Sequence, residues 1–222
     1  MFRLAPIVQR IALAGLLSVP VFAAQGSGGP LGLFTQAADV GHPAIAGSTT
    51  FDAARREYRM TGAGANIWAK DDQFQFAWRE VTGDFTMTAT LHFLGEGNEH
   101  RKAGIMVRQS LDHDAAYGDV VLHGVGMPSL QWRARQGENT NTFDLPVEQP
   151  GTFTLKMVRT GVKTYLYVGR EGAPVTRIVN TEVSLQGPVL VGLFVCAHDP
   201  TKSETVIFSN VTFQPGTAGA AE

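Results

Sequence analysis

Apolar and polar residues alternate with a period of two along most of the chain. Phe74, Phe76 and Trp78 alternate with Gln73, Gln75 and Arg79, and Phe85, Met87, Ala89, Leu91 and Phe93 with Thr86, Thr88, Thr90 and His92. Phe153, Leu155 and Met157 oppose Thr152, Thr154 and Lys156, and "KTYLYVG", "VLVGLFVCAH" and "ETVIFSNVTF" add β-branched and aromatic runs. Successive side chains on an extended chain point to opposite sides, so each run predicts a strand with one apolar and one polar face. Turn residues bound the runs at Gly83-Asp84, Gly137, Pro150-Gly151 and Gly187-Pro188. After the first thirty residues no amphipathic helix of three turns is visible. Many short strands with one apolar face each predict an all-β fold, a two-sheet antiparallel β-sandwich. No low-complexity linker and no repeat of fixed period separates Leu31 from Pro215, so one domain is expected.

The ends read differently. Arg3 and Arg10 precede an apolar run, Ile11 to Ala23, that is short for a membrane span and is broken by Gly15 and Pro20. Val21-Phe22-Ala23 then supplies small residues at cleavage-site positions, which predicts a secretory signal over residues 1–23 and export to the periplasm or beyond. The alternative is an uncleaved anchor. Residues 24–30 form a flexible lead, 31–214 the sandwich, and 215–222 a loose tail. Removing the signal takes two of 18 basic residues and leaves 20 acidic ones, moving the net charge from −2 to −4. That balance argues against nucleic acid, whose binding needs clustered Lys and Arg. Nothing else in the chain resembles a membrane span. The single cysteine, Cys196, has no internal disulfide partner, and its apolar surroundings predict a buried thiol acting as a small hydrophobe.

From "DVGHPAIAGSTTFDAARREYRMTGAGANIWAKDDQFQFAW", through "GDFTMTATLHF", "HRKAGIMVRQSLD", "SLQWRARQG" and "VGLFVCAHD", to "FSNVTF", the chain resembles bacterial exported domains of the concanavalin A-like lectin/glucanase superfamily. Its kin there are the enolase-regulator-like jelly rolls of unassigned function, which occur alone or fused to Tol-type propellers and glycoside hydrolases. The resemblance covers nearly all of residues 33–213 and implies a concanavalin A-like jelly roll whose concave sheet is the ligand face in sugar-binding relatives. Catalytic glucanases of the superfamily carry a Glu-x-Asp-x-Glu triplet on one strand. This chain has none, which speaks against that chemistry.

Three successive segments carry the candidate chemistry. In "HRKAGIMVRQSLDHD" the strand period puts Lys102, Gly104, Met106 and Arg108 on one face, and Ala103, Ile105, Val107 and Gln109 on the other. In "YGDVVLHG" Asp119 and His123 share a face, as do Gln131 and Arg133 in "SLQWRARQG". Short turns favour a meander, which would gather Arg108, Asp119, His123, Gln131 and Arg133 on one polar surface. Such a row suits sugar hydroxyls, or a sugar carboxylate through paired Arg contacts. An ordinary solvated face with weak surface ion pairs fits the same pattern. Trp68, after the glycine-rich "GAGAN", is the expected stacking platform, whereas Trp78 and Trp132 are expected in the core.

Metal chemistry has less support. Asp112 and Asp114 are weak candidates for Ca²⁺, because Ala116 stands where a third oxygen ligand belongs and no Glu closes the loop. Six scattered His, no HExxH and no second Cys leave no zinc pattern. No nucleophile elbow occurs, and Gly62-Ala-Gly64 and Gly124-Val-Gly126 lack the third glycine of a dinucleotide loop. Asn210-Val-Thr212 fits a glycosylation acceptor inside an expected strand. The leading expectation is a non-catalytic carbohydrate-binding module without a cofactor. A glycan-active enzyme drawing on Glu80, Glu96, Glu99 or Glu138, or an envelope interaction domain, is the alternative.

Overall fold

The structure, a computed structural model, describes residues 30–216. The expected signal over 1–23, most of the lead and most of the tail lie outside the described residues. Sixteen strands follow one another among the described residues: β1 Gln36–Val40, β2 Ser48–Asp52, β3 Glu57–Gly62, β4 Ile67–Trp68, β5 Asp71–Asp72, β6 Phe74–Val81, β7 Phe85–Leu94 and β8 Lys102–Arg108. They continue with β9 Tyr117–His123, β10 Pro128–Arg133, β11 Asn141–Asp144, β12 Phe153–Thr160, β13 Lys163–Arg170, β14 Thr176–Glu182, β15 Val189–Cys196 and β16 Glu204–Pro215. Among the described residues no helix is long and apolar enough to cross a membrane.

Two seven-stranded sheets are built from these, in the orders β1-β6-β15-β8-β9-β10-β11 and β14-β13-β12-β7-β16-β3-β2, and β4 pairs with β5 as a separate hairpin. Every pairing is antiparallel, and chain-distant strands lie side by side, as where β15 enters between β6 and β8. The fold is the expected two-sheet antiparallel β-sandwich of jelly-roll type. Between the sheets, Ile105, Val107, Val120, Leu122, Leu130 and Leu193 meet Met87, Leu91, Leu155, Met157, Leu166 and Phe208 in one continuous core.

The two sheets differ on their outer faces. In the second, β12 and β13 alternate buried and half-exposed residues, as a sheet with one wet face should. In the first, all seven residues of β8 and all seven of β9 are buried. A second apolar cluster coats its outer face: Phe74, Phe76, Trp78, Met106, Tyr117, Val121 and Phe194, with Val40, Ile67 and Cys196. The expected polar outer face is thus corrected. Trp78 packs there rather than between the sheets, while Trp132 is only partly buried against the inter-sheet core.

The cover over this face is the β4–β5 hairpin. It inserts Ile67 and Asp72, both fully buried, while Trp68 stays partly exposed. The "GAG" before it answers a packing need. A Cβ at Gly62 would stand 2.1 Å from the Val195 carbonyl oxygen, and one at Gly64, whose φ is +113°, 2.0 Å from that of Gln73. The backbone must pass that close to lie across the sheet.

Candidate functional site

Strand register settles the arrangement of the polar row. Lys102 lies opposite His123, Met106 opposite Asp119, and Arg108 opposite Tyr117. On the next strand Gln131 faces Asp119 and Arg133 faces Tyr117. Directly paired residues share a face, so Lys102, Arg108, Asp119, His123, Gln131 and Arg133 all project from the outer side of one sheet. The meander β8-β9-β10 brings together what the sequence separates. It does not bring all of it to solvent.

Arg108 and Arg133 are completely buried. Their common partner is Asp72, delivered by the hairpin. Arg133 grips it as a fork, Nη1 to Oδ2 at 2.7 Å and Nη2 to Oδ1 at 2.8 Å, and Arg108 Nη1 lies 3.6 Å from Oδ2. Arg133 also donates to the carbonyls of Ala69, Ala115 and Glu138. Arg108 donates to those of Ser110 and Asp112. Each guanidinium stands over an aromatic ring, Arg108 on Phe74 and Arg133 on Tyr117. Burial pushes the Asp72 pKa up, and the Arg133 hydrogen bonds and the two cationic charges oppose it. Two guanidiniums that have no accessible neutral form face one carboxylate, so we take Asp72 as ionised. Both arginines therefore serve the hairpin instead of reaching a ligand. Sequence reasoning missed Asp72, whose only signal was a second acid in "WAKDDQ".

The other end of the row is open. A cavity of about 270 Å³ is lined by Asn66, Trp68, His100, Lys102, His123 and Gln131, with Met127, Thr142, Asp144 and His198 closing its sides. Trp68 is 38 % exposed, and its ring lies 5.3 Å from the Lys102 ammonium. Lys102 Nζ donates to Asn66 Oδ1 at 2.9 Å and to the Ile67 carbonyl at 2.8 Å, which ties the strand to the hairpin. Burial lowers the Lys102 pKa, against the pull of the Asp119 carboxylate. Burial likewise raises Asp119 well above the usual carboxylate range, with Lys102 opposing. His123 is driven down to about 3, first by burial and then by the Lys102 charge, so its imidazole is neutral. Asn66, His100, Thr142, Asp144 and His198 were not foreseen, because they come from four separate parts of the chain.

The floor of this cavity and the strands beside it carry an unusual number of unpaired groups. Both carboxylate oxygens of Asp119, both ring nitrogens of His123, Ser129 Oγ and Gln131 Oε1 are buried without a hydrogen-bond partner. The Gln131 backbone amide acts to lower the Asp119 pKa but does not meet hydrogen-bond geometry. Buried polar groups are ordinarily satisfied. Six such atoms lie on neighbouring residues of one face, three of them on His123 and Gln131, which line the cavity.

The remaining candidates fall elsewhere. Asp112 Oδ2 accepts from Ser110, and Asp114 Oδ1 from Gln136. Among the described residues no cluster of three His, Cys, Asp or Glu is placed to hold a metal, so the Ca²⁺ expectation at Asp112 and Asp114 finds no ligand set. Glu138 pairs with Arg135 on the surface, and Glu80, Glu96 and Glu99 are exposed and do not line the cavity. Asn210 sits exposed at a β16 bulge with φ of 51°.

No family model matches this chain, and no curated protein is similar to it in sequence. Solved structures do match. A protein described as functionally unknown from Saccharomyces cerevisiae aligns at TM-score 0.63 and 16% identity, over 82% of this chain and 98% of its own. The carbohydrate binding module CBM66 from Bacillus subtilis aligns at TM-score 0.53 and 16% identity, over 82% and 97%. A basic winged bean lectin with Tn-antigen aligns at TM-score 0.53 and 8% identity, over 83% and 98%. At these identities the likeness shows the fold alone, the two-sheet β-sandwich that these proteins share with this chain.

Proposed function

We propose that this protein is an exported, non-catalytic carbohydrate-binding module and that its ligand sits in the cavity beside Trp68. The observation that carries the reading is the pairing of a partly exposed indole with the unpartnered polar atoms of His123 and Gln131. A sugar ring offers an apolar C–H face to the indole and hydroxyls to the floor. The binding row is narrower than the sequence row: Trp68, Lys102, His123 and Gln131 face the ligand, Asp119 stands behind them, and Arg108 and Arg133 hold the hairpin. The fold shared with lectins and CBM66 supports the reading. Export rests on the N-terminal charge and apolar run.

Hydrolysis is the weaker alternative. It needs two carboxylates facing the scissile bond, and Asp144 is the sole carboxylate among the lining residues. The test is retention of the purified protein on a panel of immobilised polysaccharides. Trp68→Ala and Gln131→Ala should each weaken retention about tenfold or more without a matching loss of thermal stability. Unchanged retention in both variants would exclude this cavity. Sugar release from the panel would exclude the non-catalytic reading.

A further inference from the structure

The cavity chemistry also restricts the ligand's charge, given that the site binds carbohydrate. The unpaired atoms on the lining residues include the Gln131 amide oxygen, an acceptor, and the two nitrogens of the neutral His123 imidazole, one donor and one acceptor, with the Asp119 oxygens buried behind them. The available cation is Lys102, and two of its three protons are already committed to Asn66 and Ile67. Its charge is set against Asp119 behind it and Asp144 at the rim, both of which act on it electrostatically. Arg108 and Arg133, the groups able to clamp a carboxylate, are buried on Asp72. A sugar carboxylate only accepts hydrogen bonds, so it would leave the Gln131 oxygen and the imidazole acceptor unmet and would approach two carboxyl groups, Asp144 at the rim and Asp119 behind Lys102. A hydroxyl both donates and accepts.

We infer that the site selects neutral, hydroxyl-rich sugars and discriminates against uronic acids, with Asp119 and Asp144 setting that preference by offsetting Lys102. Neutral sugars satisfy the lining without placing a second charge beside the buried Lys102, where charge interactions are strong.

The experiment compares binding of the whole protein to neutral hexose and pentose oligosaccharides with binding to glucuronic- and galacturonic-acid oligosaccharides of the same length. It is run at neutral pH by calorimetry. The neutral series should bind at least about tenfold more tightly. Asp144→Asn, an exposed change, should narrow that ratio about fivefold. Asp119→Asn removes the carboxyl group behind Lys102 and should raise uronate affinity, with near-UV circular dichroism confirming the fold. Uronates binding as well as neutral sugars, or a ratio unmoved in Asp144→Asn, overturns the inference while leaving carbohydrate binding intact. Binding of neither series overturns the proposed function and this inference together.

Discussion

Cys196 and the two buried arginines show how one residue's role depends on its surroundings. The Cys196 thiol is completely buried, donates to the Gly64 carbonyl at 3.6 Å, and has its pKa pushed up to about 11 by burial. Thiolate is the reactive form, so the native protein should resist a thiol reagent at pH 8 and react fully once unfolded in guanidinium. Fast labelling of the native state would show that the strand opens. This burial was legible, because the flanking run "VLVGLFVCAH" is apolar throughout. For Arg108 and Arg133, face was legible and exposure was not. Period two assigns a side of the sheet, whereas exposure depends on what lies over it.

What lies over it is the β4–β5 hairpin. Four residues in two short strands cannot hold themselves in place. Asp72 latches the hairpin through two guanidiniums, and Lys102 through Asn66 and Ile67. Asp72→Ala leaves two buried cations without their carboxylate, a change that costs about 3–5 kcal/mol. Urea unfolding should register that loss, and the near-UV signal of Trp68 should weaken as the hairpin loosens. A loss below about 1 kcal/mol would mean that the backbone carbonyls alone hold the arginines. The meander of β8, β9 and β10 was readable from the sequence because short turns connect neighbouring strands. The hairpin was not, since "IWAKDD" has neither the length nor the alternation that announces a strand.

The whole sandwich responds to pH through the ionisable groups it buries. His123 has a folded pKa of about 3 against an ordinary 6.5, and burial lowers that of His198 as well. Between pH 6.5 and 3 the unfolded chain takes up a proton that the folded His123 refuses, so stability falls as pH drops through that window. Above it nothing changes. One such group contributes a slope of at most about 1.4 kcal/mol per pH unit. Asp119 works in the opposite sense, because its raised pKa favours the fold as pH falls. The comparison that isolates His123 is the wild type against His123→Gln, and the stability gap should shift toward the variant as pH falls from 6.5 to 4. A constant gap would place His123 in contact with water.

The amino-acid sequence alone determined that this chain forms paired strands, that they pack as a sandwich, and that Lys102, Arg108, Asp119, His123, Gln131 and Arg133 share one side of a sheet. Those are local consequences of alternation, β propensity and turn spacing. Tertiary structure decided which of the six meet solvent. Asp72 lies 61 residues from the arginine that it pairs with most closely, and Trp68, His100, His198 and Asp144 reach one cavity from distant segments. Contacts of that kind leave no periodic trace, because each depends on where the backbone has already been placed by the rest of the fold.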